Sequence, residues 1–395
     1  MRARLARDFE RFGRGLPRDA AAHVREAYGI DLTARYLGYT LAHPIGKGSG
    51  QLSLNTDQLE TDRAAGLAFV VLKTAIAEDE AGARSMEAWA VHETKMRVER
   101  RRAAGGREGW TVTWKGRGWD RPFDDYLALV RSAGDLTRDG EIVAVPSVKY
   151  HLPRLDEPFR ESEYRYTTGR LAHAWGGDGL PIEKDFSPTL AGDPLADERA
   201  RILRWLREVP GQIRAAAGAA PLRLAVKLMN ARFDDAFQRD MMAAAAAADA
   251  LVCFNRLWDP SSGVAYGGWD LSERNLRVLR AARAAAAPAS PRSPTLVGTG
   301  NVCSGRMVLD YARAGCESVE LHTYFQLPLS EYPAPEGSRT QRALHALLFH
   351  PVDGMVAGML ELEAAGVLHR RGGELRFLDL CGPGKPGREG REETA

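Results

Sequence analysis

The sequence predicts an α/β barrel of eight parallel strands, and three observations lead there. Eight short apolar runs recur between residues 39 and 323, several rich in β-branched residues without polar alternation, as strands buried on both faces require. Helix-length segments separate most of them, the pattern of parallel strands joined by crossovers. The 395 residues leave room for one barrel of about 250 residues with additions at either end.

The runs are "YTLAHPIG" (39–46), "LAFVVLK" (67–73), "EIVAVPS" (141–147), "LPIEKDF" (180–186), "LRLAVKL" (222–228), "ALVCFN" (250–255), "PTLVG" (294–298) and "SVELHT" (318–323). Between the fourth and fifth, "DERARILRWLREVPGQIR" places Ile202, Leu206, Val209 and Ile213 on one helical stripe. After the seventh, Ser304 suits an N-cap for a helix that buries Val308, Leu309 and Ala312.

Five further segments are added to the barrel, which is expected to span 38–330. Residues 1–37 form an amphipathic helical arm, with Leu5, Phe9, Phe12 and Leu16 near helical spacing. A basic β-hairpin is inserted near 93–119, turning at Gly105-Gly106 with Val112 between threonines. A long aromatic loop follows from Lys149, "KYHLPRLDEPFRESEYRYTTGRLAHAWGGDG", and decorates the barrel. Residues 331–380 make a C-terminal helical extension, and the Gly-, Pro- and charge-rich 381–395 is expected to be a disordered tail.

Composition excludes several classes. Lys plus Arg is 54 and Asp plus Glu is 52, so no bulk attraction to nucleic acid or anionic membrane is expected. The four cysteines show no C-x-x-C spacing and are read as free thiols of a reducing compartment; His43, His151 and His173 have no ligand spacing, so no metal site is expected. The N-terminus lacks an apolar h-region, and the longest apolar stretch, Met241–Phe254, is broken by Asp249. The expectation is a cytoplasmic protein with a small-molecule partner and, through the added hairpin, a surface for a homodimer.

The candidate chemistry lies at the strand ends. "HPIGKGSG" ends the first strand in Gly46, Gly48 and Gly50, which let a flat ligand lie against bare backbone. Lys73-Thr74 ends the second strand and Lys227 sits in the fifth. A buried ammonium must meet an anion, an electron-rich ring or a carbonyl. Asn255 ends the sixth strand and Gly267-Gly268 follows it; Gly300-Asn301 and His322-Thr323 close the seventh and eighth. Free amides at such ends hold phosphate, and barrel phosphate sites frequently lie after strands seven and eight.

These residues resemble, in order from about 38 to 327, those of the dihydroorotate dehydrogenase family, FMN-bearing (β/α)8 barrels (TIM barrels). "HPIGKGSG" approximates the family's N-P-hydrophobic-x-x-A-S-G, Lys73-Thr74 its K-T, and Val226-Lys227-Leu228 its V-K-L. "LVGTGNVCSGRMVLDYARAGCESVELHT" follows its G-T-G-G-I…G-A…Q-x-x-T segment at nearly every spacing.

The resemblance implies an FMN-dependent oxidoreductase. Gly300, Asn301, His322 and Thr323 would surround the phosphate. Gly48, Ser49, Lys73, Thr74, Lys227 and Asn255 would meet the ring, with Lys227 near N1 and O2, and Gly267 and Gly268 would lie along the tail. The family's N-x-S-[CS]-P-N loop has its nearest match in "DFSPT", one residue shorter, which makes Ser187 the candidate catalytic acid or base alongside Lys227. Asp185 and Thr189 stand there in place of asparagines. With Asn255 and Lys47 they are the expected substrate contacts. Loss of a matched hydrogen-bond set costs roughly 10⁴–10⁵ in discrimination, so the expected substrate is a small polar molecule other than dihydroorotate. Two other readings stay open: a lyase using Lys73 or Lys227 as a Schiff-base nucleophile, and a non-catalytic scaffold for FMN or phosphate.

Overall fold

The computed structural model describes residues 1–90, 97–102, 108–113, 118–177, 179–186, 199–231, 233–259, 264–266, 269–285 and 293–382. Its centre is a parallel barrel of eight strands. They are β1 (Ile45–Lys47), β2 (Phe69–Val71, resumed at Ala75–Ile76), β3 (Val143–Val145, resumed at Ser147–Lys149), β4 (Leu180–Asp185), β5 (Leu222–Met229), β6 (Ala250–Asn255), β7 (Thr295–Thr299) and β8 (Cys316–Leu321). Each pairs with its successor, and β8 returns to β1 through Val319↔Ile45, so the barrel closes.

Both interruptions have a backbone cause. Pro146 has no N–H for the ladder, while its carbonyl accepts from Glu183 N at 2.8 Å. In β2 the Lys73 amide leaves the ladder for the Ser53 carbonyl at 3.0 Å, placing Lys73 in a break at the strand's end.

Helices cover the outside: α1 (Arg2–Phe12), α2 (Ala20–Tyr28), α3 (Thr56–Ala64), α4 (Phe123–Arg138), α5 (Glu161–Trp175), α6 (Arg199–Ala217), α7 (Asp235–Ala244), α8 (Trp269–Ala285), α9 (Gly305–Arg313), α10 (Arg339–Phe349), α11 (Met355–Ala364) and α12 (Leu378–Cys381). The α6 stripe of Ile202, Leu206, Val209 and Ile213 is buried as its spacing predicts, each residue contributing about 1.5–3 kcal/mol of transfer free energy. Ser304 caps α9, its Oγ accepting from Met307 N at 3.2 Å, and Val308, Leu309 and Ala312 are buried beneath it.

The structure corrects the sequence reading at three places. The run 39–46 is not one strand: Tyr39–Leu41 pairs antiparallel with Ala34–Tyr36 across a Leu37-Gly38 turn of positive φ, and the barrel strand starts only at Ile45. This hairpin floors the barrel at its N-terminal end, where Tyr36 packs 4.6 Å from Phe69 and Tyr39 lies under Arg223. The third strand runs on past Ser147 to Lys149. The aromatic segment after it is no long loop, because fifteen of its residues form α5, an ordinary crossover helix.

The inserted hairpin pairs Arg97–Arg102 with Glu108–Thr113 and packs against the turn after β8 and against α8, over the C-terminal end of the barrel. Its Arg100 stacks on Trp110 and meets Glu331 at 3.1 Å. The expected tail lies outside the described residues beyond Gly382.

Candidate functional site

The C-terminal strand ends bring together a buried cluster of charge. Lys149 Nζ, at the end of β3, lies 2.5 Å from Asp185 Oδ2 at the end of β4. Burial opposes both charges, yet Lys149 and Lys227 together hold the Asp185 carboxyl below its ordinary range. Its Oδ1 is buried with no hydrogen-bond partner among the described residues. Lys73 is 3% exposed and is pushed down to about 8 by burial and then by the charges of Lys149 and Arg256, against the pull of Asp120 and Asp185. Burial lowers Arg256 to about 10, with Asp185 opposing. Lys73, Lys149 and Arg256 thus oppose one another's charge, and Asp185 favours all three.

Lys227 reaches the interior from β5. Burial works against its charge, but Glu320, Glu183 and Asp185 outweigh it and raise the ammonium above its ordinary value. Glu320 Oε1 accepts a short hydrogen bond from Lys227 Nζ. Across β1, β2 and β3 runs a hydroxyl chain, Ser49 Oγ to Thr74 Oγ1 at 2.7 Å and Thr74 to Ser147 Oγ at 3.0 Å.

The glycines of "HPIGKGSG" serve close packing of the barrel's own side chains. A Cβ on Gly46 would strike the Phe69 ring, and one on Gly50 the His322 imidazole; on Gly48 it would stand 2.6 Å from Glu320 Oε1. His322 is held neutral well below the usual range by burial, then by Arg256, Lys227, Lys73 and Lys47. The Cβ directions at these glycines are thus taken by side chains of the barrel wall.

The turn after β7 holds Gly300 at φ +99° and Asn301 at φ +53°, both in the left-handed region. Asn275 of α8 fixes the turn, its Nδ2 donating to Phe254 O at 3.0 Å and Thr299 O at 2.8 Å, and it leaves no room for a Cβ on Gly300. In α9 the Arg306 and Met307 amides already have partners, Asp353 O and Ser304 Oγ. Asn301, Val302, Cys303, Thr323, Tyr324, Leu327 and Glu331, with Trp110 of the inserted hairpin, line a cavity of about 220 Å³. Asn301 Nδ2 is buried without a hydrogen-bond partner among the described residues, a donor waiting for an acceptor beside Thr323. A phosphate fits that chemistry.

Of the other expected residues, Asn255 sits at the end of β6, its Oδ1 accepting from Arg256 N at 2.9 Å. Lys47 departs from its expected role: its ammonium is committed to Asp62 of α3 and Thr340 of α10, between the barrel and its helices. Ser187, Thr189, Gly267 and Gly268 lie outside the described residues. Sequence reasoning missed Lys149, Glu183, Arg256 and Glu320. Only two of the four left a signal: Lys149 continues the period of two from Ser147, and Arg256 directly follows Asn255.

No family model matches this sequence, and no curated protein does. Solved structures do match. A DHODH (dihydroorotate dehydrogenase) from Eimeria tenella, in complex with ferulenol, superposes with a TM-score of 0.58 at 14% identity, over 97% of this chain and 95% of that one. The chain has a DHODH-like barrel fold. Among the described residues, no helix is long and apolar enough to cross a membrane.

Proposed function

We propose that this chain is an FMN-dependent oxidoreductase with a DHODH-like barrel and a substrate pocket of its own. The observation that carries the reading is the charge at the barrel mouth: Lys73, Lys149 and Arg256 repel one another around Asp185 in a DHODH-like fold. An anionic ligand relieves that repulsion.

In this reading Gly300, Asn301, His322 and Thr323 hold the phosphate. Lys73 and Lys227 lie against the ring, beside Gly48, Ser49, Thr74 and Asn255, with Gly267 and Gly268 along the tail. When bound, the flavin supplies a hydride acceptor or donor. The substrate is a small polar molecule that offers an anionic group to Arg256 and Lys149 and an N–H or O–H to Asp185 Oδ1, and Thr189 is a further proposed contact. Ser187 handles the proton.

Equilibrium titrations with FMN and with riboflavin test the phosphate site. FMN is expected to bind more tightly, and Asn301→Leu to cost at least about tenfold for FMN only, the worth of one charge-assisted hydrogen bond. Equal affinity for the two flavins contradicts the assignment.

One observation favours a second reading. Lys73 at about 8 carries an appreciable neutral fraction near physiological pH, which suits a Schiff-base nucleophile of a lyase. Borohydride reduction in the presence of a carbonyl substrate leaves a mass increment on Lys73 in a lyase and none in the flavoenzyme.

A further inference from the structure

The cavity beside Asn301 and Thr323 has the wrong charge for an anion. Among the described residues that line it, the charged side chain is a carboxylate, Glu331, while Asn301 Nδ2 and the Thr323 hydroxyl are the polar groups an anion could use. A neighbouring cavity of about 360 Å³ shares Cys303, Tyr324 and Glu331 with it. That cavity adds Asp353, which Arg306 answers at 3.7 Å, and His350, whose Nδ1 accepts from Asp353 N at 2.9 Å. A phosphate dianion beside Glu331 therefore meets a like charge, which disfavours it.

The opposite charge stands in the inserted hairpin. Arg100 Nη2 donates to both Glu331 carboxylate oxygens, at 3.1 and 3.3 Å, and the guanidinium lies 4.9 Å from the Trp110 ring centroid. Glu331 and Trp110 both line the cavity. Arg100 and Trp110 are directly opposed across the hairpin, on the face that also carries the Val98↔Val112 pair. Val112 is buried and anchors that face. A register slip of one residue would turn Arg100 away from both partners. The Arg100 side chain is largely exposed, so its pair with Glu331 contributes little to stability. A guanidinium has three nitrogens and five N–H donors, and Glu331 engages one of those nitrogens.

We propose that Arg100 supplies the positive charge of this phosphate site, shared between Glu331 and the bound phosphate. Glu331 and Trp110 hold the guanidinium at the cavity edge, and Glu331 weakens the anion by its own charge. The hairpin thus contributes affinity for the phosphate group and none for the ring. That the phosphate belongs to a flavin rests on the FMN reading.

Calorimetric titration of the full-length, flavin-free protein with FMN, riboflavin and inorganic phosphate tests the assignment. Arg100→Met is expected to weaken FMN about tenfold, the worth of one charge-assisted hydrogen bond, and to leave riboflavin unchanged. Arg100→Lys is expected to recover part of that loss, because it restores the charge without the planar fork. Glu331→Gln is expected to tighten FMN and leave riboflavin unchanged, since the amide oxygen still accepts from Arg100 while the repelling charge is gone. The opposite signs separate a binding role from a structural one. A pair that only clasps the hairpin loosens in both variants, and FMN and riboflavin then weaken alike; that result overturns the proposal, as does an FMN affinity that neither substitution changes. If Arg100→Met does not fold, Arg100→Lys and Glu331→Gln still decide by their opposite signs. A protein that takes up neither flavin overturns the FMN reading, and inorganic phosphate then decides on Arg100. Phosphate binding seen by phosphorus NMR in the wild type and lost in Arg100→Met upholds the site; no phosphate binding in the wild type overturns it.

Discussion

Lys149 Nζ stands 2.5 Å from Asp185 Oδ2, bridging the C-terminal ends of β3 and β4, and both side chains are nearly sealed from solvent. Such a pair contributes little beyond what a matched apolar pair would, but breaking it leaves an unpaired buried charge. Lys149→Met or Asp185→Asn alone is expected to cost about 3–5 kcal/mol in urea unfolding, and the double variant clearly less than the sum. Strictly additive costs would show that the two do not act as a pair.

Lys73 sets the pH dependence of anion binding. Its ammonium, pushed down to about 8, is fully present below that pH and is lost as pH rises through it in the unliganded protein. Affinity for FMN is therefore expected to be flat on the acid side of pH 8 and to fall above it. Lys73→Met is expected to bind more weakly without that fall. A wild-type affinity indifferent to pH through this window contradicts the placement of Lys73 against the anion.

Gly50 and His322 occupy one space. Gly50→Ala drives a methyl into the imidazole and is expected to destabilise by about 1–3 kcal/mol, while adding His322→Ala restores most of the loss. The same ring makes the fold acid-sensitive. His322 stays neutral when folded, whereas the unfolded chain binds its proton near the ordinary value of about 6.5. The unfolded state thus gains protons below that pH and stability falls as pH drops through it. Denaturant midpoints measured across this range are expected to fall less steeply for His322→Ala than for the wild type; identical slopes would remove the ring from the account.

The barrel was legible because parallel strands buried on both faces leave unbroken apolar runs, and eight of these locate the eight strands. Their ends were less legible. Pro146 and the Leu37-Gly38 turn are local backbone events that an apolar run does not register, so Lys149 fell outside the third strand and the floor hairpin merged with the first. Helix α5 was hidden because Thr167 and Thr168 sit on its buried face with Tyr164, Leu171 and Trp175, blurring the apolar stripe. Lys73 and Lys227 stood out as cations in apolar runs, but the carboxylates that answer them did not. Glu183 and Glu320 look like outward-facing strand residues until the closed barrel sets them opposite Lys227.

The most direct measurement is the absorption spectrum of the freshly purified protein, with identification of whatever heat releases. The bands of oxidised flavin, release of FMN, and a colourless Lys227→Ala variant are expected. A colourless wild-type protein that takes up no added FMN would contradict that expectation, and Lys73 would then be pursued as the nucleophile of a lyase.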